Sequence, residues 1–291
     1  MQDLKAEIAF IGGSGLYEID GIDNIIEKEI DTPFGKPSDK IVIGDIEGVK
    51  CAFLPRHGKG HIFLPSEINQ RANMWALKSV GVKRIVAFTA CGSLKEELKP
   101  KEFVIPDQIF DRTKNRPNTF FGNGVVAHVG MAKPFCRCLR DLIHDSVAQL
   151  GIKHHFGGTY VCIDGPQFST KAESEVNRKH GFSIVGMTAV PEAKLAREAE
   201  MCYANISLVT DYDVWKEGEE VTNDAVTATV AENIANSRKV IKDLALRISK
   251  KQECACGCRN ALKTSLMTDP KKFLGTPQYE KLSLLLDKYY K

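Results

Sequence analysis

The chain has 291 residues, 43% of them hydrophobic, nine cysteines and a net charge of only +3. That length can bury a large core in an α/β architecture. The near-neutral charge implies no nucleic-acid footprint, and without a run of eighteen apolar residues there is no candidate membrane span. The opening residues, MQDLKAEIAFIGGSG, are too polar and too short for a signal peptide, so a cytoplasmic protein is expected.

In chain order, residues 7–12 read as a short apolar strand ending in GGSG. Residues 40–44 and 49–54 read as two strands joined by a turn at 45–48. The glycine-containing loop PRHGKGH follows. Ser66 then stands as N-cap of a helix that carries Ile68, Ala72, Trp75, Ala76 and Leu77 near one face and stops at Gly81. Residues 83–90 and 103–110 read as strands, 111–127 as a loop and 134–150 as a helix. A strand at 160–163 ends in DGPQFST, followed by a helix at 171–180, a short strand at 183–185 and a helix at 191–203. A strand at 206–209 leads to Asp211, 224–250 make a long amphipathic helix, and 273–290 close the chain as a helix. Alternating strands and helices with no internal repeat predict a single α/β domain, with a central mixed β-sheet flanked by helices. Residues 1–250 carry it, and the cysteine-containing segment and final helix, 251–291, pack on the same domain.

The polar motifs follow strands, and in open α/β sheets ligands bind at the carboxyl ends of strands. Gly12–Gly13–Ser14–Gly15 lets backbone N–H groups approach an anion and adds a hydroxyl. It lacks the spacing of a dinucleotide fingerprint and the Gly-Lys-Ser/Thr of a Walker loop, so by itself a plain turn explains it better. Arg56 offers a planar fork for phosphate oxygens and His57 a neighbouring imidazole; the alternative is a basic surface patch with Lys59 and His61. Thr89 and Thr188 add hydroxyls and backbone N–H groups. One arginine, three hydroxyls and several amides suit a single free phosphate. In LVTDYDVWK, Asp211 and Asp213 stand two apart; in an extended segment both face one side, toward a ligand with N–H donors or one that must be given a proton. A solvated loop is the competing reading.

Cys51, Cys91 and Cys162 sit in apolar runs as small buried hydrophobes. Cys136 and Cys138 form a C-x-C, and Cys254, Cys256 and Cys258 a C-A-C-G-C. With Cys202, these are reduced surface thiols, metal ligands or disulfides, the last pointing to a hyperthermophile. The C-x-C-x-C spacing misses the C-x₂₋₄-C of structural zinc, so no metal site is assigned.

Together the motifs resemble the purine nucleoside phosphorylase superfamily, most closely its methylthioadenosine phosphorylase branch. The resemblance is carried by IGGSGLYEI (11–19), LPRHGKGHIFLPSEINQRANMWALK (54–78), TACGSLKEELKP (89–100), DGPQFSTKAES (164–174), GMTAVPEAKLAREAEMCYA (186–204) and TDYDVWKEGEE (210–220), among other stretches covering nearly all of residues 7–250. It implies a pentosyltransferase that cleaves 5′-methylthioadenosine with inorganic phosphate to adenine and 5-methylthioribose 1-phosphate, in purine and methionine salvage, with adenosine as a further substrate. Phosphate is a co-substrate and no other cofactor is implied. Ser14, Arg56, His57, Thr89, Ala90 and Thr188 match the phosphate site. Met187 and His61 match the ribose region, Phe168 and Ser169 the base wall, and Asp211 and Asp213 the adenine-reading and proton-supplying pair. His128 matches a residue entering a neighbouring subunit's 5′ pocket, which implies a homotrimer or a dimer of trimers. Asn223 or Asp224, Val226 and an apolar residue of the last helix, Leu282 or Leu285, line that pocket. The alternatives are a phosphorylase of 6-oxopurine nucleosides or methylthioinosine, a hydrolytic nucleosidase, and a metal- or redox-sensing protein acting through CACGC.

Overall fold

The computed structural model describes residues 5–13, 16, 21–218, 223–250, 254–269 and 272–290, excluding the side chains of 223–228. The first strand, Ile8–Gly12 (β1), is buried along its whole length and alternates strictly. Ala9 and Ile11 face one core, Ile8 and Phe10 the other, as the two-residue period of a strand covered on both faces requires. The edge strand Ile22–Lys28 (β2) and the hairpin Ile41–Ile46 (β3) and Val49–Pro55 (β4) follow. The hairpin turns at Glu47 and Gly48, both at positive φ (49° and 77°).

Helix Gln70–Ser79 (α1) begins later than Ser66. Glu67 accepts the Leu64 N–H (2.9 Å) and closes a separate turn; Asn69 caps the helix by accepting from Ala72 N (3.2 Å). Strand Arg84–Ser93 (β5) runs three residues past the expected end. The segment expected as one strand at 103–110 is two, Phe103–Ile105 (β6) and Gln108–Asp111 (β7), which pair with different neighbours on either side of Pro106. Proline has no N–H to continue a ladder.

Helix Arg137–Gln149 (α2), strands His154–Phe156 (β8) and Thr159–Cys162 (β9), helix Lys171–Lys179 (α3) and strand Ile184–Gly186 (β10) come next. Helix Ala189–Glu198 (α4) ends five residues before the expected Tyr203, because Glu200 turns left-handed (φ 55°) and releases Cys202 into strand Cys202–Asp211 (β11). Val190 inside α4 is extended, as a residue preceding proline prefers. The long helix Asn223–Lys250 (α5) and the last helix Pro277–Tyr290 (α6) complete the chain.

β5 is the hub of the mixed, eleven-stranded sheet. Its first part pairs parallel with β1, nearly its whole length pairs parallel with β11, and its last residues pair antiparallel with β10. One wing continues through β1 to β4, β3 and β2, another through β10 to β9 and β7, and a third through β11 to β6 and β8. Helices cover both faces: α1, α4 and α6 against Ile85 and Ala87, α2 and α5 against Val86 and Phe88. Leu282 and Leu285 of α6, expected near a 5′ pocket, are instead buried in the core shared with Met74 and Trp75. Among the described residues no helix is long and apolar enough to cross a membrane. With β1, β4, β5 and β11 parallel, Gly12, Arg56, Thr89 and Asp211 come to the same end of the sheet.

Candidate active site

β4 delivers Arg56, whose backbone N–H bonds to Gly12 O at the end of β1 (2.9 Å). The guanidinium is almost completely buried. Nε and Nη2 grip the two oxygens of Glu192, the latter at 3.1 Å, and Nη1 donates to Phe88 O in β5 (2.8 Å). Glu192, fully buried in the first turn of α4, also accepts from the Tyr203 hydroxyl (2.8 Å). A buried charge needs a partner, and this fork-to-fork pair fixes the plane of the guanidinium. The sequence reading missed Glu192, which stands in PEAKLARE and reads there as an acid on a helix surface.

His57 stacks on His61 with ring centroids 4.1 Å apart, and its Nδ1 meets Phe63 O at 2.8 Å. A carbonyl only accepts, so Nδ1 carries the proton. Burial pushes the pKa of His57 down to about 4; the Phe63 carbonyl opposes this, and the Arg56 charge and His61 add to it. At neutral pH His57 is therefore uncharged and its Nε2 is an acceptor. His61 itself is exposed, at φ 57°.

Thr89 is buried in β5 and donates to Asn205 Oδ1 of β11 (3.2 Å), as does Ser207 (2.5 Å). Neither Asn205 nor Ser207 was singled out in the sequence. The Asn205 Nδ2 is buried without a partner, an orphan donor at the carboxyl end of the sheet. Ala90 is exposed. Thr188 is buried at the N-terminus of α4 with no side-chain capping bond. Arg116 donates to the carbonyls of Met187 (2.7 Å), Val190 (2.9 Å) and Asp164 (2.7 Å), tying together the loops after β9 and β10.

Asp211 and Asp213 come together, but not through strand alternation. The ladder between β11 and β5 slips between Val209 and Asp211, and Asp213 lies at φ 53°, outside the extended region. The Asp213 N–H turns back onto Asp211 Oδ1 (2.7 Å), while the Thr210 hydroxyl donates to Oδ2 (2.6 Å). Short polar residues tolerate this left-handed turn. Burial pushes the Asp211 carboxyl above its usual range, opposed by Thr210 and the Asp213 N–H. Burial also raises Asp213, and the neighbouring Asp211 charge adds to it; the nearby Ser174 and Ser169 hydroxyls pull back without reaching good hydrogen-bond geometry. Asp213 Oδ2 is buried and unpartnered. Gly92 makes room for the pair: a Cβ there would lie 3.0 Å from Asp211 Oδ1 and 3.3 Å from Asp213 Cα. Ser169 is buried beside this acid pair, and Phe168 next to it is half exposed.

One end of the sheet thus presents a fixed guanidinium and an orphan amide donor, and beside them two carboxyls whose pKa values burial raises. A model of the phosphorylase superfamily matches residues 7–245. The chain belongs to that superfamily, in its methylthioadenosine phosphorylase branch. It is similar to the S-methyl-5′-thioadenosine phosphorylase of Koribacter versatilis, with 48% identity over 99% of this chain and 98% of the relative. The protein of that name from Saccharolobus solfataricus is 50% identical over 91% of this chain and 99% of its own. A methylthioadenosine phosphorylase from an antarctic soil metagenomic library superposes with a TM-score of 0.93 at 45% identity, covering 97% of this chain and 99% of that one. The methylthioadenosine phosphorylase of Schistosoma mansoni, in complex with adenine, superposes at 0.84 and 37% identity over 90% and 99% of the two chains.

Ser14 lies outside the described residues, as do the side chains of Asn223, Asp224 and Val226. His128 is exposed on the loop beside the C-terminal segment, its N–H on Ser265 O (2.9 Å). The cysteines depart furthest from the sequence reading. Cys136, Cys202 and Cys258 are buried, so the clusters are not surface thiols. The Sγ atoms of Cys136, Cys202, Cys254 and Cys256 converge from three separate segments. Spacing along the chain reports only local neighbours and could not show this.

Proposed function

We infer that this enzyme cleaves the N-glycosidic bond of 5′-methylthioadenosine with inorganic phosphate, releasing adenine and 5-methylthioribose 1-phosphate. The observation that carries the reading is the Asp211–Asp213 pair packed behind Gly92, at the same sheet end as the Glu192-anchored Arg56. An anion site and a paired-acid base site at one sheet end suit phosphorolysis. A hydrolase has no use for the former.

Bond cleavage leaves an oxocarbenium-like sugar. A phosphate dianion held by Arg56, whose Glu192 and Phe88 contacts leave two guanidinium donors to spare, stabilises that cation and attacks C1′. Ser14, Thr89, Thr188 and the backbone at Ala90 complete the anion site. The neutral His57 accepts the remaining P–OH proton of the dianion. The Asn205 amide supplies a further donor to phosphate or ribose oxygens. The ribose lies against Met187 and His61, and the purine stands between Phe168 and the acids. The leaving adenine needs a proton at N7, and Asp211, whose carboxyl burial pushes above its usual range, gives it. Asp213 accepts from the N6 amine, with Ser169 beside it. A 6-oxopurine presents an acceptor at position 6 and would suit a side-chain amide better than two acids.

Inorganic phosphate is a co-substrate and the chemistry needs no cofactor. The protein works in the cytoplasm as a homotrimer or a dimer of trimers. Exposed Val126 and Met267, joined by the Met267 N–H to Val126 O bond (2.9 Å), flank His128 and support a self-association surface that carries this histidine to a neighbour's 5′ pocket. Asn223, Asp224 and Val226 complete that pocket, where polar neighbours allow adenosine as a second substrate.

The test is adenine release from methylthioadenosine with and without phosphate, alongside adenosine and inosine. Phosphate-dependent release with little turnover of inosine is expected. Release without phosphate would remove the phosphorylase reading, and a strong inosine signal would remove the role given to the acid pair.

A further inference from the structure

The catalytic reading makes no use of the nine cysteines; Cys51, Cys91 and Cys162 are isolated buried hydrophobes, and Cys136, Cys138, Cys202, Cys254, Cys256 and Cys258 remain. We propose that Cys136, Cys202, Cys254 and Cys256 form a closed four-thiolate site for a zinc ion, which clips the C-terminal segment to the catalytic core. The four Sγ atoms all lie within 4.8 Å of one another. Cys136 and Cys254 stand 3.6 Å apart, and Cys202 and Cys256 3.4 Å apart. A tetrahedral ion with Zn–S bonds of about 2.3 Å places its sulfurs about 3.8 Å apart. The four thiols therefore already have the dimensions of a tetrahedral shell, and small side-chain motions complete it.

The placement is that of a structural site. Cys136 is the N-cap of α2, with its N–H on Tyr203 O (2.8 Å). Cys202 is the first residue of β11, and both cysteines are almost wholly buried. Cys254 and Cys256 come from the irregular segment beyond α5 and are only partly buried, which leaves an entry path from solvent. Two ligands thus belong to the rigid core and two to the segment that needs fixing. Gly257, at φ 74°, then turns the chain so that Cys258 points into the core as a fifth, buried thiol beside the four.

The donor set selects the ion. Four soft thiolates in a tetrahedron suit zinc and exclude magnesium and calcium, which take oxygen ligands. Binding replaces four S–H bonds with four Zn–S bonds and releases four protons, so the complex carries two negative charges. Arg84 lines the same hollow as Cys136, Cys202 and Cys254 and offsets part of that charge. No oxidant or reductant is required.

The clip sits just upstream of residues that matter elsewhere. Leu262, Tyr279, Leu282, Leu285 and Leu286 join the large core. Ser265 and Met267 bond to the loop that carries His128. Loss of the ion would loosen this whole segment while leaving Arg56, Asp211 and Asp213 in place.

The experiment is elemental analysis of full-length protein purified without added metal or a metal-binding tag, with a thiol count on denatured, unreduced samples. About one zinc per chain is expected, released by a mercurial thiol reagent and read with a colorimetric zinc indicator. Cys136→Ser and Cys256→Ser should each lower zinc to below about a tenth per chain and lower the Tm. Cys256→Ser lies in the outer segment and covers the case in which the buried variant does not fold. Cys138→Ser removes a thiol outside the four and should keep the ion. Metal-free protein with all nine thiols titratable, a count lowered by disulfides within the cluster, or iron in place of zinc would each overturn the assignment.

Discussion

Glu192 holds Arg56 along the Nε–Nη2 edge of its guanidinium at full burial, and the same carboxylate takes the hydroxyl of Tyr203. The pair joins the end of β4 to the start of α4, two elements 136 residues apart in sequence. Breaking a buried pair leaves an uncompensated charge and costs about 3–5 kcal/mol. Glu192→Gln keeps the volume and removes the charge. We expect the KM for phosphate to rise at least about 10-fold, while the KM for methylthioadenosine changes little, because the base-binding end is untouched. Initial rates with each substrate varied in turn check this. Equal changes in both constants would show that Glu192 supports the fold alone.

Asp211 is placed to give a proton to the leaving base. Asp211→Asn cannot, and kcat for methylthioadenosine should fall about 10²–10⁴-fold, the usual range for general acid catalysis. Because burial raises the Asp211 carboxyl, the wild-type rate falls as pH rises through that raised value. The variant should lose this alkaline limb. It should also gain relative activity toward inosine, whose 6-oxo group can accept from an amide. A pH–rate profile and a substrate panel together test both roles.

The parts of the site readable from sequence are those in which a charged or hydroxyl residue lies in the carboxyl-terminal half of a strand or just beyond it. Arg56, Thr89, Thr188 and Asp211 are all so placed, and the parallel order of β1, β4, β5 and β11 gathers three of them. Asp213 was picked out by a pleat argument, yet a left-handed turn brings it to its neighbour. Glu192 was invisible because a buried and a solvated glutamate look alike within a helix; only the approach of Arg56 distinguishes them. Asn205 and Ser207 were hidden inside an apolar strand that starts four residues earlier than its hydrophobic run suggested. The thiol cluster needed tertiary proximity, since Cys136 and Cys254 are 118 residues apart. Strands β2 and β8 were missed because edge strands with no buried residue, one of them only three residues long, lack a strong apolar pattern.

Gly92 sits where any side chain would press on the acid pair. A Cβ would lie 3.0 Å from Asp211 Oδ1 and 3.2 Å from Val185 Cγ1. Gly92→Ala should therefore displace the carboxyls by a few tenths of an ångström. We expect the KM for methylthioadenosine to rise about 10-fold with the KM for phosphate nearly unchanged, the reverse of the Glu192→Gln pattern. A variant with wild-type constants for both substrates would show that the pair has room to move.

Asp213 links the site to stability through pH. Its folded carboxyl is raised above the value of about 3.8 expected for the unfolded chain, chiefly by burial. The folded state then binds the proton more tightly. The sign follows: protonated Asp213 is accommodated at low pH, and stability is lost as pH rises above 3.8 through the raised folded value. Asp213→Asn removes the charge, and asparagine tolerates the left-handed backbone at this position. Its amide also places donors near the Ser169 and Ser174 hydroxyls, which lie beside the orphan Oδ2. Without ligand, the Tm of the variant should match that of the wild type near pH 4 and exceed it at pH 7 to 8, while turnover of methylthioadenosine falls. Thermal melts across that pH range test it. A Tm difference of constant size would mean that Asp213 is not the group being titrated, and a less stable variant at neutral pH would mean that its charge is compensated in the folded enzyme.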